Sequence, residues 1–387
     1  MRIYLDYNAT TPPLPEAIDA MTAALTTDFG NASSVHAFGQ RAKAIVDDAR
    51  GAVASLIDAD PSEIVFTGSG TEADNLALRG AAEALAPSGR RHIVTTGIEH
   101  EAVLNTCRAL EKQGWRLTVL GAGNNGIVAV DALRAVISPE TALVSVMHAN
   151  NETGAIQPVA SLAAIAREHG AVFHTDAIQS AGKIPVSTRQ LGADLLSISA
   201  HKFGGPKGAG ALWVRRGVRL VATMTGGRQE RSRRAGTENV PAIAGMGAAA
   251  RVARVHLDAG PLVAARRDRL ESGILAAVPG TAVNGDRDRR VPNTTNISFE
   301  GVEAESLLIA LDLEGVAVST GSACSSGSLE PSHVLKAMGL PNARTRNALR
   351  FSLGARTTDA EVDAVIAVLP SLVGKLRQLG RTAAALR

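Results

Sequence analysis

The sequence predicts an α/β protein: a large domain built on a mostly parallel, helix-covered sheet, joined to a smaller α+β domain. Three observations carry this. Short β-branched runs at 64–67, 93–96, 117–120, 142–147, 172–174 and 195–199 alternate with amphipathic stretches, the pattern of strands buried beneath helices. Ala42, Ile45, Val46, Ala49, Val53, Leu56 and Ile57 share one face at helical spacing, so that region is a helix. From about residue 255 the rhythm changes to an arginine-rich helix, then Pro292, a strand around 295–299, and helix, strand, helix. The large domain is therefore expected at 14–255 and the small one at 256–387, completed by 1–13. No repeat of solenoid length recurs along the chain.

A length of 387 residues with 45% apolar content supplies a large core. Cys107 and Cys324 are the two cysteines, so no disulfide framework is expected and the setting is a reducing one, where a lone thiol is free for chemistry. Met1 runs straight into the strand-like Ile3-Tyr4-Leu5, without a basic-then-apolar leader. No apolar run approaches the roughly 18 residues of a membrane span. A soluble, cytoplasmic chain is the expectation. A formal charge of +3, interspersed charges and 3% aromatics disfavour nucleic-acid binding.

The residues that could carry chemistry sit at strand ends. The strand 195–199 runs into Ala200-His201-Lys202-Phe203-Gly204-Gly205. A lysine at the end of a buried strand is placed for desolvation, which disfavours the ammonium and suits an imine-forming amine; a surface lysine is the alternative. The run Val172-Phe173-His174-Thr175-Asp176 ends in a carboxylate with Gln179 just beyond. An anion there could face a pyridine nitrogen, or the aspartate could simply cap a helix. Gly68-Ser69-Gly70-Thr71-Glu72 is a glycine turn opening a helix, suited to a phosphate but equally to a capping box. His100, after another strand, could stack on a ring or shuttle protons, or cap the helix that comes next. Cys324 lies in a run of small residues that cannot build a core, which favours a reactive thiol, whereas Cys107 falls on an apolar helix face. Arg350, in a strand-like apolar stretch, wants a carboxylate partner: an amino-acid substrate, or an internal ion pair.

In order along the chain, Tyr4-Leu5-Asp6-Tyr7-Asn8-Ala9-Thr10-Thr11-Pro12, Gly30-Asn31-Ala32-Ser33-Ser34-Val35-His36, the glycine turn, the His100 segment, His148-Ala149-Asn150-Asn151-Glu152-Thr153-Gly154 and the Cys324 loop with Ser328-Leu329-Glu330-Pro331-Ser332-His333 resemble the cysteine desulfurases. These are class V aminotransferase relatives of pyridoxal-phosphate fold type I, and the likeness is to their longer-loop nitrogen-fixation and iron-sulfur-cluster group. The resemblance implies a seven-stranded sheet in the large domain and pyridoxal 5'-phosphate held by Lys202. Asp176 would pair with the pyridinium, His100 would stack on the ring, and Asn151 and Gln179 would serve the phenolic oxygen. Gly70, Thr71, Ser199 and His201 would line the phosphate cup, reached also by Thr237 of the partner subunit in a homodimer. L-cysteine would be bound by Arg350 and Asn151, and Lys202, His100 and Cys324 would be catalytic.

The activity so implied is removal of sulfur from L-cysteine, giving L-alanine and a persulfide on Cys324. That sulfur would pass to an iron-sulfur scaffold or another acceptor protein, with Cys324 also a transient metal ligand of the cluster. A selenocysteine lyase and a non-catalytic sulfur-scaffold subunit are the alternatives; Lys202 together with Cys324 argues against the second. The family commonly has proline where Ala32 stands and glycine where Ser232 stands. Many housekeeping members carry a scaffold-docking tail beyond the position of Arg387, which leaves the acceptor open. Gln229-Glu230-Arg231 and the loop wording are closest to the nitrogen-fixation branch.

Overall fold

A computed structural model describes residues 2–321 and 331–385. Expectations for Cys324 fall outside these residues. The described strands are β1 (Ile3–Tyr4), β2 (Ile64–Thr67), β3 (His92–Thr96), β4 (Arg116–Leu120), β5 (Thr141–Ser145), β6 (Val172–Asp176), β7 (Leu195–Ser199), β8 (Gly210–Val214), β9 (Thr281–Asn284), β10 (Thr294–Phe299), β11 (Val316–Ala317) and β12 (Ala348–Ser352). Seven of them form one sheet in the order β2-β8-β7-β6-β5-β3-β4. Every pairing from β7 to β4 is parallel, while β8 runs antiparallel to both β7 and β2.

The expected strands are present within one or two residues at each end. The sequence pattern does not anticipate β8. It is a short run after a glycine-rich turn, and its first residue must be glycine because a Cβ there would lie 2.5 Å from the backbone of Ser69. β9, also unanticipated, joins β10 and β12 in a three-stranded antiparallel sheet.

Alternation along the strands sorts the large sheet's side chains onto two faces. Ile64, Phe66, Leu196, Ile198, Ala211 and Trp213 join a core with the helices Ala37–Leu56 and Val240–His256. Val65, Leu195, Leu212 and Val214 face the other way, against the helices Gly70–Leu85 and Glu101–Glu111, where Cys107 is fully buried as expected. The helix read from Ala42 to Ile57 spans Ala37–Leu56 and buries Ala42, Val46, Ala49, Val53 and Leu56. A separate core gathers Ile3 and Leu5 with Leu270, Ile274, Phe299, Leu307, Phe351 and Leu369. The N-terminus enters it because β1 pairs in parallel with β11. None of the described helices is long and apolar enough to cross a membrane.

Glu230, Arg231 and Ser232 are consecutive left-handed residues, with φ of 45°, 57° and 62°. The buried Glu230 carboxylate enforces this turn: it takes Arg50 in a two-pronged contact at 2.8 and 2.7 Å and the Phe66 amide at 2.9 Å. Left-handed backbone costs a side chain roughly 1–2 kcal/mol, which accounts for the family's glycine where this chain has Ser232. Ser232→Gly is expected to raise the thermal midpoint slightly, the strain relieved exceeding the roughly 0.5–1 kcal/mol of added unfolded-chain entropy. A lowered midpoint in a melting curve would refute it.

Glu99, fully buried, ties the end of β3 to the chain beyond β5. It accepts from Thr96 Oγ1 at 2.7 Å and the Met147 amide at 2.8 Å. Burial pushes its carboxyl up to about 8 against these two bonds. The folded state therefore binds a proton that the unfolded chain has already lost, so this group's contribution fades as pH rises from its unfolded value towards 8. Relative to wild type, Glu99→Gln should gain stability over that window, by at most about 1.4 kcal/mol per pH unit, in urea unfolding measured against pH. A pH-independent difference would count against a protonated Glu99.

Candidate active site

The carboxyl ends of β3, β6 and β7 open on one edge of the large sheet, beside the point where strand order reverses between β3 and β5. Open α/β sheets bind ligands there. Asp176 is the last residue of β6, 4% exposed, with Oδ1 accepting the Ile178 amide at 2.8 Å. Burial raises its carboxyl, opposed by the charges of His100 and Lys202. His100 caps the helix Glu101–Glu111 through Nδ1, which accepts the Ala102 amide at 3.1 Å. The capping reading holds, and the same ring interacts electrostatically with Asp176 and Lys202. Burial lowers its pKa, so the ring is neutral at neutral pH.

Lys202 ends the short turn after β7. It is half-buried, and Nζ donates to the backbone carbonyls of Asn8 at 2.7 Å and Ala9 at 2.8 Å. Beside it, burial and then Lys202 hold His201 at about 4, and its Nδ1 lies 3.2 Å from Thr10 Oγ1. The N-terminal segment thus forms one wall of the site.

Asn8 is a hub that the sequence does not reveal. Its carbonyl also accepts Gln179 Nε2 at 3.0 Å, and its Nδ2 donates to the Asn151 carbonyl at 3.0 Å and Thr294 Oγ1 at 2.8 Å. Lys183, likewise unforeseen, donates to Asn8 Oδ1 and Gln179 Oε1. No local pattern marks either residue; only a lysine four positions after Gln179 hints at a shared turn.

The glycine turn is a helix start as expected. Ser69 Oγ accepts the Glu72 amide at 3.1 Å, and Glu72 reaches back to the Gly68 amide at 2.7 Å rather than to Ser69, while also pairing with Arg234. Gly70 admits no side chain: a Cβ would lie 2.3 Å from Ile178 Cδ1 and 3.1 Å from Ser199 Cβ. Gly70 and the buried Ser199 are therefore neighbours, and Thr71 is exposed at the rim, lining one surface pocket with His100. Thr237 is exposed, three residues beyond Arg234.

Arg350, on β12 and 2% exposed, has an internal carboxylate: Nη2 lies 2.7 Å from Asp6 Oδ1, and Nη1 donates to the Asn151 carbonyl at 3.0 Å. Its Nε is buried without a hydrogen-bond partner among the described residues, as is Asn151 Oδ1. The flanks of the Cys324 segment converge next to it. Ser319 pairs with Arg350 through backbone bonds of 3.2 and 2.7 Å. Ser332 Oγ donates to Glu152 Oε2 at 2.5 Å, and Gly321 lies so near that carboxylate that a Cβ would be 2.8 Å from it. Glu152, unforeseen as a site residue, is fully buried and raised by that burial. No cluster of metal-ligating side chains occurs among the described residues.

The residues fit pyridoxal phosphate. A buried anion at Asp176 suits a protonated ring nitrogen, the Gly70 cradle at a helix start suits a phosphate, and the orphaned Asn151 Oδ1 awaits a polar partner. The family model "Aminotransferase class-V" matches residues 3–365. A protein of Trichormus azollae named cysteine desulfurase is 50% identical over 378 residues, 97% of this chain and 94% of that one. A solved NifS-like protein superposes with a TM-score of 0.91 at 35% identity, covering 97% of this chain and all of the other. SspA, solved in complex with cysteine, gives 0.81 at 34% identity over 92% of this chain and 100% of its own. The chain belongs to the class V aminotransferase family, among the cysteine desulfurases.

Proposed function

We propose that this protein is a pyridoxal-phosphate-dependent cysteine desulfurase, taking sulfur from L-cysteine onto Cys324 and releasing L-alanine. One observation carries the reading: the Lys202 amine, the buried Asp176 carboxylate and the His100 ring share the carboxyl edge of one sheet, close enough to shift one another's proton affinity. When bound, the cofactor supplies an aldehyde and an electron-withdrawing ring that acidifies the substrate's Cα proton.

The chain's own residues do the rest. Lys202 would hold the cofactor, and Asp176 would pair with the ring nitrogen. His100 would stack on the ring and shuttle protons. Asn151 and Gln179 serve the phenolic oxygen; Gly70, Thr71, Ser199 and His201 take the phosphate, joined by Thr237 of the partner subunit. Arg350 binds the substrate carboxylate, which competes with Asp6 for the guanidinium and gains the free Nε. The Lys202 amine would take the Cα proton. The Cys324 thiolate then attacks the substrate sulfur: an S–S bond forms as the Cβ–S bond breaks, and protons returned from the site complete alanine. Cys324 is three residues past Gly321, so its Cα lies within about 11 Å of an anchor beside Glu152 and Arg350. The second core supports a small domain from 1–13 and 256–387, while Val334, Leu335, Met338, Leu340 and Ala348 of that stretch pack into the core of 14–255. The sulfur passes to an iron-sulfur scaffold or another acceptor protein, in a cytoplasmic setting.

Purified full-length protein should be yellow, and Lys202→Ala should lose the visible absorption. Cys324→Ala should keep the colour yet release no sulfide from cysteine. Intact mass after brief exposure to cysteine should show one added sulfur, located on Cys324. Undiminished sulfide release by Cys324→Ala would refute the persulfide step.

A further inference from the structure

A second lysine stands in this site without a part in the proposed desulfurase reaction, and its role rests on the reading of Lys202 as the cofactor-holding amine. Lys183 lies on the turn after β6, and with Lys202 it lines a cavity of about 150 Å³ between the two cores. Its Nζ donates to Asn8 Oδ1 at 2.7 Å and to Gln179 Oε1 at 2.5 Å. An amide whose oxygen is engaged by a lysine offers only its NH2 in the other direction. Gln179 accordingly donates Nε2 to the Asn8 carbonyl, the same oxygen that receives Lys202 Nζ. Asn8, its side-chain oxygen held by Lys183 and by Asn293 Nδ2 at 3.0 Å, points Nδ2 at the Asn151 carbonyl and Thr294. One amine thus sets the orientation of two amides that frame the other.

We propose that Lys183 is a positioning residue for Lys202: it clamps the oxygen ends of Asn8 and Gln179, and as a second amine on the same cavity it disfavours an ammonium at Lys202. The surroundings agree. Around Lys202 stand Asp176 from the end of β6, His100 from beyond β3 and His201 from its own turn. Lys207 faces His201, and Arg350 faces Lys183 from β12. Burial, then Lys202 and Arg350, push the Lys183 amine well below the ordinary lysine range. Neighbouring amines in a desolvated site resist carrying two charges. With one amine of the pair removed, the other no longer shares the site's proton and its proton affinity rises, so the Lys202 nitrogen, which must be neutral to take the Cα proton, would be unprotonated only at higher pH.

The test is a pH titration of the visible absorption of the pyridoxal-phosphate-loaded full chain, alongside kcat and KM for alanine formation. Lys183→Met and Lys183→Gln should raise the titration midpoint by about one pH unit and lower kcat about tenfold at neutral pH, with KM for cysteine little changed. Lys183→Arg, which keeps the charge, should return the midpoint towards wild type. Should the methionine variant fail to fold, the glutamine variant, which retains a donor, decides. Midpoint and kcat unmoved in the folded variants, with only thermal stability altered, would overturn the proposal. A colourless wild type would overturn the reading beneath it as well; a yellow wild type with unmoved variants overturns this inference alone.

Discussion

The amine of Lys202 is received by two backbone carbonyls, Asn8 and Ala9, and the site depends on that meeting. A strand end can present a lysine, but it cannot by itself give the lysine a fixed position. The first ten residues do so by crossing between the two cores: Ile3 and Leu5 are buried in one, while Asn8, three residues on, faces the sheet edge of the other. Ser352 Oγ accepts the Asn8 amide at 2.9 Å, so β12, which carries Arg350, is tied to the same point. The groups read as cofactor-holding and substrate-holding are thus fixed to one short stretch of backbone.

Desolvation supplies the electrostatic character of the edge. Asp74, Glu99 and Asp176 are all buried within electrostatic reach of one another, and burial raises each of them. Asp176 differs because His100 and Lys202 oppose the rise, whereas the rise at Asp74 is opposed only by a hydrogen bond from Ser197, with His174 3.6 Å away. A buried carboxyl without a close cation is held neutral. Of the three, Asp176 is the one whose rise is opposed by His100 and Lys202.

Much of this is legible in the sequence because strand ends are local features. The runs ending at Asp176 and Ser199 are apolar enough to be strands, and the chain just beyond a buried parallel strand lies at the sheet's functional edge. The same logic finds His100 and the glycine turn. β8 escapes because it comes after a turn whose glycines dominate the local pattern, and β9 because its burial is incomplete. Asn8 and Lys183 are illegible for a different reason: their roles come from hydrogen bonds to residues far along the chain, as in the 2.8 Å bond from Asn8 to Thr294. Arg350 shows the limit of a residue-by-residue reading. Its sequence context allows an ion pair or a substrate clamp, and the ion pair with Asp6 is present at the position where a clamp would work. Ser232 stands out in the sequence only as a departure from the family; its positive φ supplies the physical reason why glycine is the usual occupant.

The anchoring of Gly321 and Ser332 on one carboxylate has a kinetic meaning. Ten residues of chain, 322–331, leave from and return to the same place. For the thiol proposed as nucleophile in this stretch, covalent attachment at both ends would set an effective concentration on the order of millimolar, independent of how much free thiol the surrounding solution holds. Under that proposal small-molecule thiols would compete with an intramolecular reaction, and the covalent attachment itself would limit leakage of sulfur to solvent.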